Sequence, residues 1–323
     1  MSALLWVDGF FAEFCNALAG TLRDEARRLS YTLGFAPEPY VPWSAVFTNE
    51  ITLAAPAMFA EAMPNVPRSA VEHALYAHAL AVIEAMGRDR VEDGQVQSSA
   101  ALERVLSAAR EVRNEQLVML SGSREAIRTA LAADRELRAA IADEHDMVAG
   151  GSAVDFGTYE SVSERKQQPG LVATTMLAER AGMDPAACES IRRAVLDIAL
   201  ALQIYDDVVD WEDDAARGRS WALSLARSAL RPPARGVATD PVGRRAEVHV
   251  SGVLTRMLRR ARFHFHAAAR RARGVGSRRA STWASDRARA LEDLAERESK
   301  HAGYVNRAHA LAPWARAVLA VKV

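Results

Sequence analysis

Cysteine is scarce in this chain of 323 residues, which has only Cys15 and Cys188. Two thiols build no disulfide framework, and such usage suits a reducing compartment. Net charge of one sign is also missing, because Lys+Arg and Asp+Glu number 41 each. No global field therefore draws the chain to nucleic acid or to an anionic membrane. No apolar run reaches the ~20 residues that span a bilayer. The opening MSALLWVDGFFAEF carries acids where a secretory signal carries bases, and no clear cleavage site follows. The expectation is a cytoplasmic protein with no membrane span. Strand-like alternation is hard to find, and so is any repeat at solenoid spacing.

What the sequence does have is helix. It is rich in Ala, Leu, Arg and Glu, all good helix formers. Apolar residues recur at three- and four-residue spacing, as in Ile191–Tyr205, IRRAVLDIALALQIY. Half of the residues are hydrophobic, which is ample for a deep core. Prolines and glycines are read as falling between the periodic stretches. Pro37, Pro39 and Pro42 end one, Pro64 and Pro67 end another, and Gly94 follows a third. Gly150 and Gly151 separate the two halves, while Pro169 and Gly170 imply a kinked or broken helix. This pattern predicts about ten helices. With no linker in between, they form one all-α domain over residues 1–323. The long irregular stretch RPPARGVATDPVG, at 231–243, is either a connector or a functional lid.

Charge is uneven along the chain. Within Leu202–Leu223, LQIYDDVVDWEDDAARGRSWAL, the residues Asp206, Asp207, Asp210, Asp213 and Asp214 follow an apolar helix. On a helix Asp206 stacks on Asp210 and Asp210 on Asp214. Unneutralised, such pairs repel by a few tenths of a kcal/mol each. One reading is a solvated acidic helix end. The other is a row of hard oxygen ligands, which suits Mg²⁺ held by one or two carboxylates and substrate phosphates. A second cluster, Glu84, Asp89, Glu92 and Asp93 in VIEAMGRDRVEDGQ, also ends an apolar helix. Arg88 and Arg90 beside Asp89 offer these acids plain ion pairs. Two acidic helix ends facing each other across a bundle would clamp metal ions.

These residues resemble a family. LQIYDDVVD is similar to the second aspartate-rich motif of trans-prenyl diphosphate synthases, FQxxDDxxD, and DWEDDAARGR resembles the continuation in phytoene and squalene synthases. Tyr159 and Lys166, in YESVSERKQQPGL, match a Tyr seven residues before a diphosphate-contacting Lys. DRVED resembles a diverged first motif. The likeness runs over about residues 70–225. It implies the class I isoprenoid synthase fold, an all-α bundle around a deep apolar pocket, in which Mg²⁺ grips the diphosphate of an allylic substrate. It further implies metal ligation by Asp89 and Asp93 from one helix, and by Asp206, Asp207 and Asp210 from another, with Asp214 a further ligand. Diphosphate contacts fall to Lys166, Arg217 and Arg219, and Tyr304 and Arg307 are candidates for a late Arg–Tyr pair closing over it. Dimerisation is a further family expectation.

Departures narrow the activity. GQVQSS follows Asp93 where chain-elongating synthases carry paired arginines, and the early Gly-Lys-Arg segment for a second substrate is absent. The resemblance then implies a Mg²⁺-dependent terpene cyclase that ionises one allylic prenyl diphosphate (farnesyl, geranylgeranyl or longer) and releases pyrophosphate. The alternatives are head-to-head condensation of the phytoene and squalene type, or a catalytically degenerate subunit. Arginines crowd the region 256–289, where solvated helix faces explain them better than a nucleic-acid patch. His264 and His266 have the wrong spacing for a shared zinc site on one helix face. Trp43, Phe47, Tyr76, Phe156, Tyr159 and Trp211 either line the pocket or fill plain core.

Overall fold

The computed structural model describes residues 4–63, 65–149, 154–230 and 241–320, with backbone alone at 149 and 308–320. Every regular element among them is a helix. In chain order these are α1 (Leu5–Ala17), α2 (Thr21–Arg27), α3 (Leu29–Thr32), α4 (Trp43–Val46), α5 (Glu50–Ala60), α6 (Arg68–Glu92), α7 (Ala100–Ser121) and α8 (Glu125–Ala149). There follow α9 (Phe156–Lys166), α10 (Gln168–Arg180), α11 (Pro185–Val209), α12 (Trp211–Arg217), α13 (Trp221–Ala229), α14 (Pro241–Ser251), α15 (Val253–Gly274) and α16 (Arg278–Ala320).

The all-α expectation holds, but about ten helices was too few. The segment before Pro42 is three helices, because Gly20 turns the chain at φ 56° between α1 and α2. The aspartate-rich run is two helices, split at Asp210. As expected, the chain breaks between α9 and α10, with Pro169 in the first turn of α10. Prolines do not all fall between helices, however. Pro56 lies inside α5, where Ala54 leaves helical geometry at φ −115°. A helical proline cannot donate to the carbonyl four residues back. That carbonyl, on Thr52, lies instead 3.0 Å from Nε2 of His78. The loop expected at 231–243 lies outside the described residues over 231–240, and Pro241 already opens α14. Pro64, Gly150 and Gly151 also lie outside them.

The chain divides into two compact units. The first comprises Met1–Ile141, Arg165–Leu196 and Ala268–Thr282. In it α6 packs on α5, α7 and α10. Ala70, Ala74, Ala77 and Ala81 share the buried side of α6 and let its neighbours approach closely. An aromatic core stands on the α1–α5 side. Tyr76 stacks on Phe10 with centroids 4.0 Å apart, and Trp43 packs against Phe11 and Phe47. Trp43, Phe47 and Tyr76 thus belong to this packing.

The second unit comprises Ala142–Glu164, Asp197–Ala267 and Trp283–Val323. Here α13 packs on α12 and α14. Tyr159 is fully buried, 5.1 Å from the ring of Trp221, and Trp211 meets His249 edge-on. No helix among the described residues is long and apolar enough to cross a membrane.

Candidate active site

In the first unit α6 carries Asp89 in its last turn and ends at Asp93, and Gly94 (φ 66°) turns the chain away. Lys166, the last residue of α9, sets its ammonium 2.8 Å from Oδ1 of Asp89. The structure therefore brings together two residues that the motif reading assigned to different ligands. Arg88 and Arg90 are engaged elsewhere. Arg88 reaches Glu84 and Glu103. Arg90 donates to the carbonyls of Leu33 and Gly34 and covers the ring of Phe35.

Glu84, grouped with the first cluster by sequence, is buried in an ion-pair network. Arg110 and Arg113 both reach it from α7. Arg113, itself buried, grips Asp134 of α8 through two bonds of 2.7 and 2.8 Å. No spacing rule exposed this network, because its members lie on three helices. Nearby, Ala77, Ala81, Arg113, Ala130 and Ala173 line a shallow crevice with no room for even a water molecule.

In the second unit α11 presents Asp206 and Asp207 on its last turn, and Asp210 stands just before α12, without a side-chain cap to it. The break does not dissolve the helical register. The Asp210 N–H donates to the Asp206 carbonyl at 2.9 Å, and Asp214 to Asp210 at 3.0 Å. Asp206 and Asp210 are exposed. Asp207 is held: Tyr159 donates to its Oδ2, and Gln203, one turn earlier, donates to Oδ1 at 3.0 Å. Burial, together with the Asp207 charge, keeps the Tyr159 phenol protonated well above its ordinary range. Gln203 was legible, since it is the Gln of the motif itself.

The basic candidates of this unit have partners. Arg217 pairs with Asp214 at 2.7 Å. Gly218 ends α12 at φ 77°, and Arg219 then donates to Nε2 of His145 at 2.7 Å. Tyr304 is 66% exposed on α16, and the Arg307 guanidinium lies 4.7 Å from its ring. A buried network went unforeseen. His264 meets Asp197 through Nδ1 at 2.9 Å and Glu160 through Nε2 at 3.3 Å, and Arg260 also grips Glu160. Those bonds and charges outweigh burial and raise the His264 pKa to about 9.

Among the described residues no three His, Cys, Asp or Glu side chains gather closely enough to hold a metal by themselves. The donor set nonetheless fits Mg²⁺, which takes one or two carboxylates and completes its shell with water and substrate phosphate. Asp206 and Asp210, one turn apart and exposed, are such a pair, and Asp207 is aligned beside them.

Solved structures provide the comparison. A polyprenyl synthetase from Streptomyces coelicolor A3(2) superposes with a TM-score of 0.64 at 19% identity, over 90% of this chain and 97% of its own. The chain has the class I isoprenoid synthase fold. A polyprenyl synthase from Caulobacter crescentus CB15, complexed with calcium and isoprenyl diphosphate, gives 0.65 at 16% identity over 88% and 94% of the two chains. The geranylgeranyl pyrophosphate synthase of Lactobacillus brevis ATCC 367 gives 0.67 at 13% identity over 88% and 95%. No protein-family model and no curated protein sequence matches the chain.

Proposed function

We propose that the chain is a cytoplasmic Mg²⁺-dependent terpene synthase that ionises one allylic prenyl diphosphate and releases pyrophosphate. Asp206, Asp207 and Asp210 are its metal-holding carboxylates, with Asp214 as a reserve held by Arg217. Asp89 and Asp93 serve the metal from the first motif, and Lys166 and Arg219 serve the diphosphate. Negative charge builds on the departing diphosphate, so bond cleavage is fastest where metal and ammonium groups already stand. The metal supplies Lewis acidity to the leaving group.

The observation that carries this reading is the alignment of Asp207. A buried phenol and an amide hold a carboxylate in one orientation at the end of an apolar helix. A merely solvated acid has no need of a buried phenol and a half-buried amide as donors. The preference for one substrate rests on Arg88 and Arg90. Both are committed inside the fold, and GQVQSS follows Asp93, so this segment offers no arginine pair to a second diphosphate.

The test is incubation with Mg²⁺ and, separately, geranyl, farnesyl, geranylgeranyl and geranylfarnesyl diphosphates, with extracts read by gas chromatography–mass spectrometry. A hydrocarbon or alcohol with the carbon count of one substrate is expected. Prenyl transfer is the second reading, favoured by the prenyl synthases that share the fold. A longer diphosphate formed only with isopentenyl diphosphate, or a product of doubled carbon count, would establish it instead. No turnover and no diphosphate binding would leave a degenerate subunit.

A further inference from the structure

We propose that His264 is a positioning residue for the second acidic cluster: it ties α9 to α11 and so keeps the Tyr159 phenol aimed at Asp207. The proposal rests on the reading above, in which Asp207 serves a metal ion, and adds to it the group that sets the aim. His264 is 7% exposed on α15. Its Nδ1 lies 2.9 Å from Asp197 of α11, and its Nε2 lies 3.3 Å from Glu160 of α9. Arg260, one turn earlier on α15, donates to both oxygens of Glu160. Tyr159, the residue before Glu160, donates to Asp207.

Two adjacent residues of α9 are thus tied to α11, one directly and one through His264. Adjacent side chains on a helix point about 100° apart. Their anchors on α11, Asp207 and Asp197, stand about 15 Å apart along its axis. One tie alone leaves α9 free to turn about its own axis or to slide. Two ties of different direction, with distant anchors, stop both movements. The imidazolium suits the bridge, because both of its nitrogens donate and each faces a carboxylate. Stability alone does not account for the network, since buried ion pairs stabilise little more than apolar packing of the same volume. A fully matched network does specify a single arrangement.

The experiment measures binding of Mn²⁺–pyrophosphate by calorimetry in the wild-type protein, H264Q, Y159F and H264Q/Y159F. H264Q is expected to weaken binding about tenfold, and Y159F at least as much. The double variant is expected to bind no more weakly than Y159F alone, because His264 acts through the phenol that Y159F has already removed. A role confined to stability lowers the thermal midpoint and leaves the affinity of the folded protein unchanged. Where H264Q does not fold, D197N and D197N/Y159F complete the same cycle, with the same losses expected. Unchanged affinity in H264Q or in its substitute D197N, or losses that multiply in the double variant, overturns the proposal. D206N/D210N separates the two readings. If it weakens Mn²⁺–pyrophosphate binding while H264Q does not, the proposed function stands and this inference falls. If the wild-type protein does not bind Mn²⁺–pyrophosphate, both fall.

Discussion

The phenol of Tyr159 donates to Oδ2 of Asp207 while Gln203 donates to Oδ1, so both oxygens of this carboxylate are positioned before any ligand arrives. A hydrogen bond to a charged acceptor contributes about 1.5–3 kcal/mol. Y159F keeps the ring against Trp221 and removes only the donor. It is expected to lower the unfolding free energy by about 1–3 kcal/mol in urea and to raise the Mg²⁺ needed for half-maximal turnover. Unchanged values in both measurements would mean that the phenol does not organise Asp207.

The buried network of the first unit supports a second expectation. Arg113 is 2% exposed and holds Asp134 and Glu84 together. Removing one partner of a buried charge group costs about 3–5 kcal/mol, because the remaining charges lose their compensation. R113M should therefore be among the most destabilising single changes in α7. Adding D134L should recover part of the loss, since the double variant removes a matched pair. A double variant as unstable as the sum of its two single changes would argue against coupling.

The fold was legible because helix periodicity and helix-forming composition agree throughout the chain. The grouping of Asp206, Asp207 and Asp210 was legible because they lie close in sequence, so the junction of α11 and α12 carries all three. The Glu84–Arg113–Asp134 and His264–Asp197–Glu160 networks were not. Their members come from different helices, and only packing brings them together. The helix count fell short where single residues decide a break. Gly20 turns the chain into α2 without interrupting the apolar pattern around it, and Pro56 bends α5 without ending it.

His264 links stability to pH. Burial lowers its pKa, but bonds to Asp197 and Glu160 outweigh it and hold the folded value at about 9, above the ordinary 6.5. Its contribution is complete below pH 6.5 and is lost as pH rises through about 9. For Glu160, burial raises the pKa, and His264 and Arg260 outweigh it to give about 2. That contribution is present above pH 4.5 and is lost as pH falls toward 2. Between pH 4.5 and 6.5 both are complete. Unfolding at fixed temperature from pH 6 to 9.5 should show a decline of roughly 2–3 kcal/mol from His264. H264Q should flatten that decline while lowering stability at pH 6. An equal slope in H264Q would place the titrating group elsewhere.

The exposed carboxylates of the second motif give the sharpest separation between a functional acidic cluster and a solvated helix end. Asp206 and Asp210 lie one turn apart, and the Asp210 N–H donates to the Asp206 carbonyl at 2.9 Å, so their charges repel along the helix. Replacing one of them removes about 0.2–0.5 kcal/mol of repulsion. D210N is therefore expected to raise the thermal midpoint of the metal-free protein slightly at low ionic strength. If the carboxylate holds the metal of the reaction, the same change lowers turnover by about 10²–10³, and added Mg²⁺ no longer stabilises the protein in the presence of pyrophosphate. A solvated helix end gives the first effect without the others. Opposite signs for stability and activity in one variant are the signature of charges kept close against their own repulsion, and loss of neither activity nor metal response in D210N would remove this residue from the site.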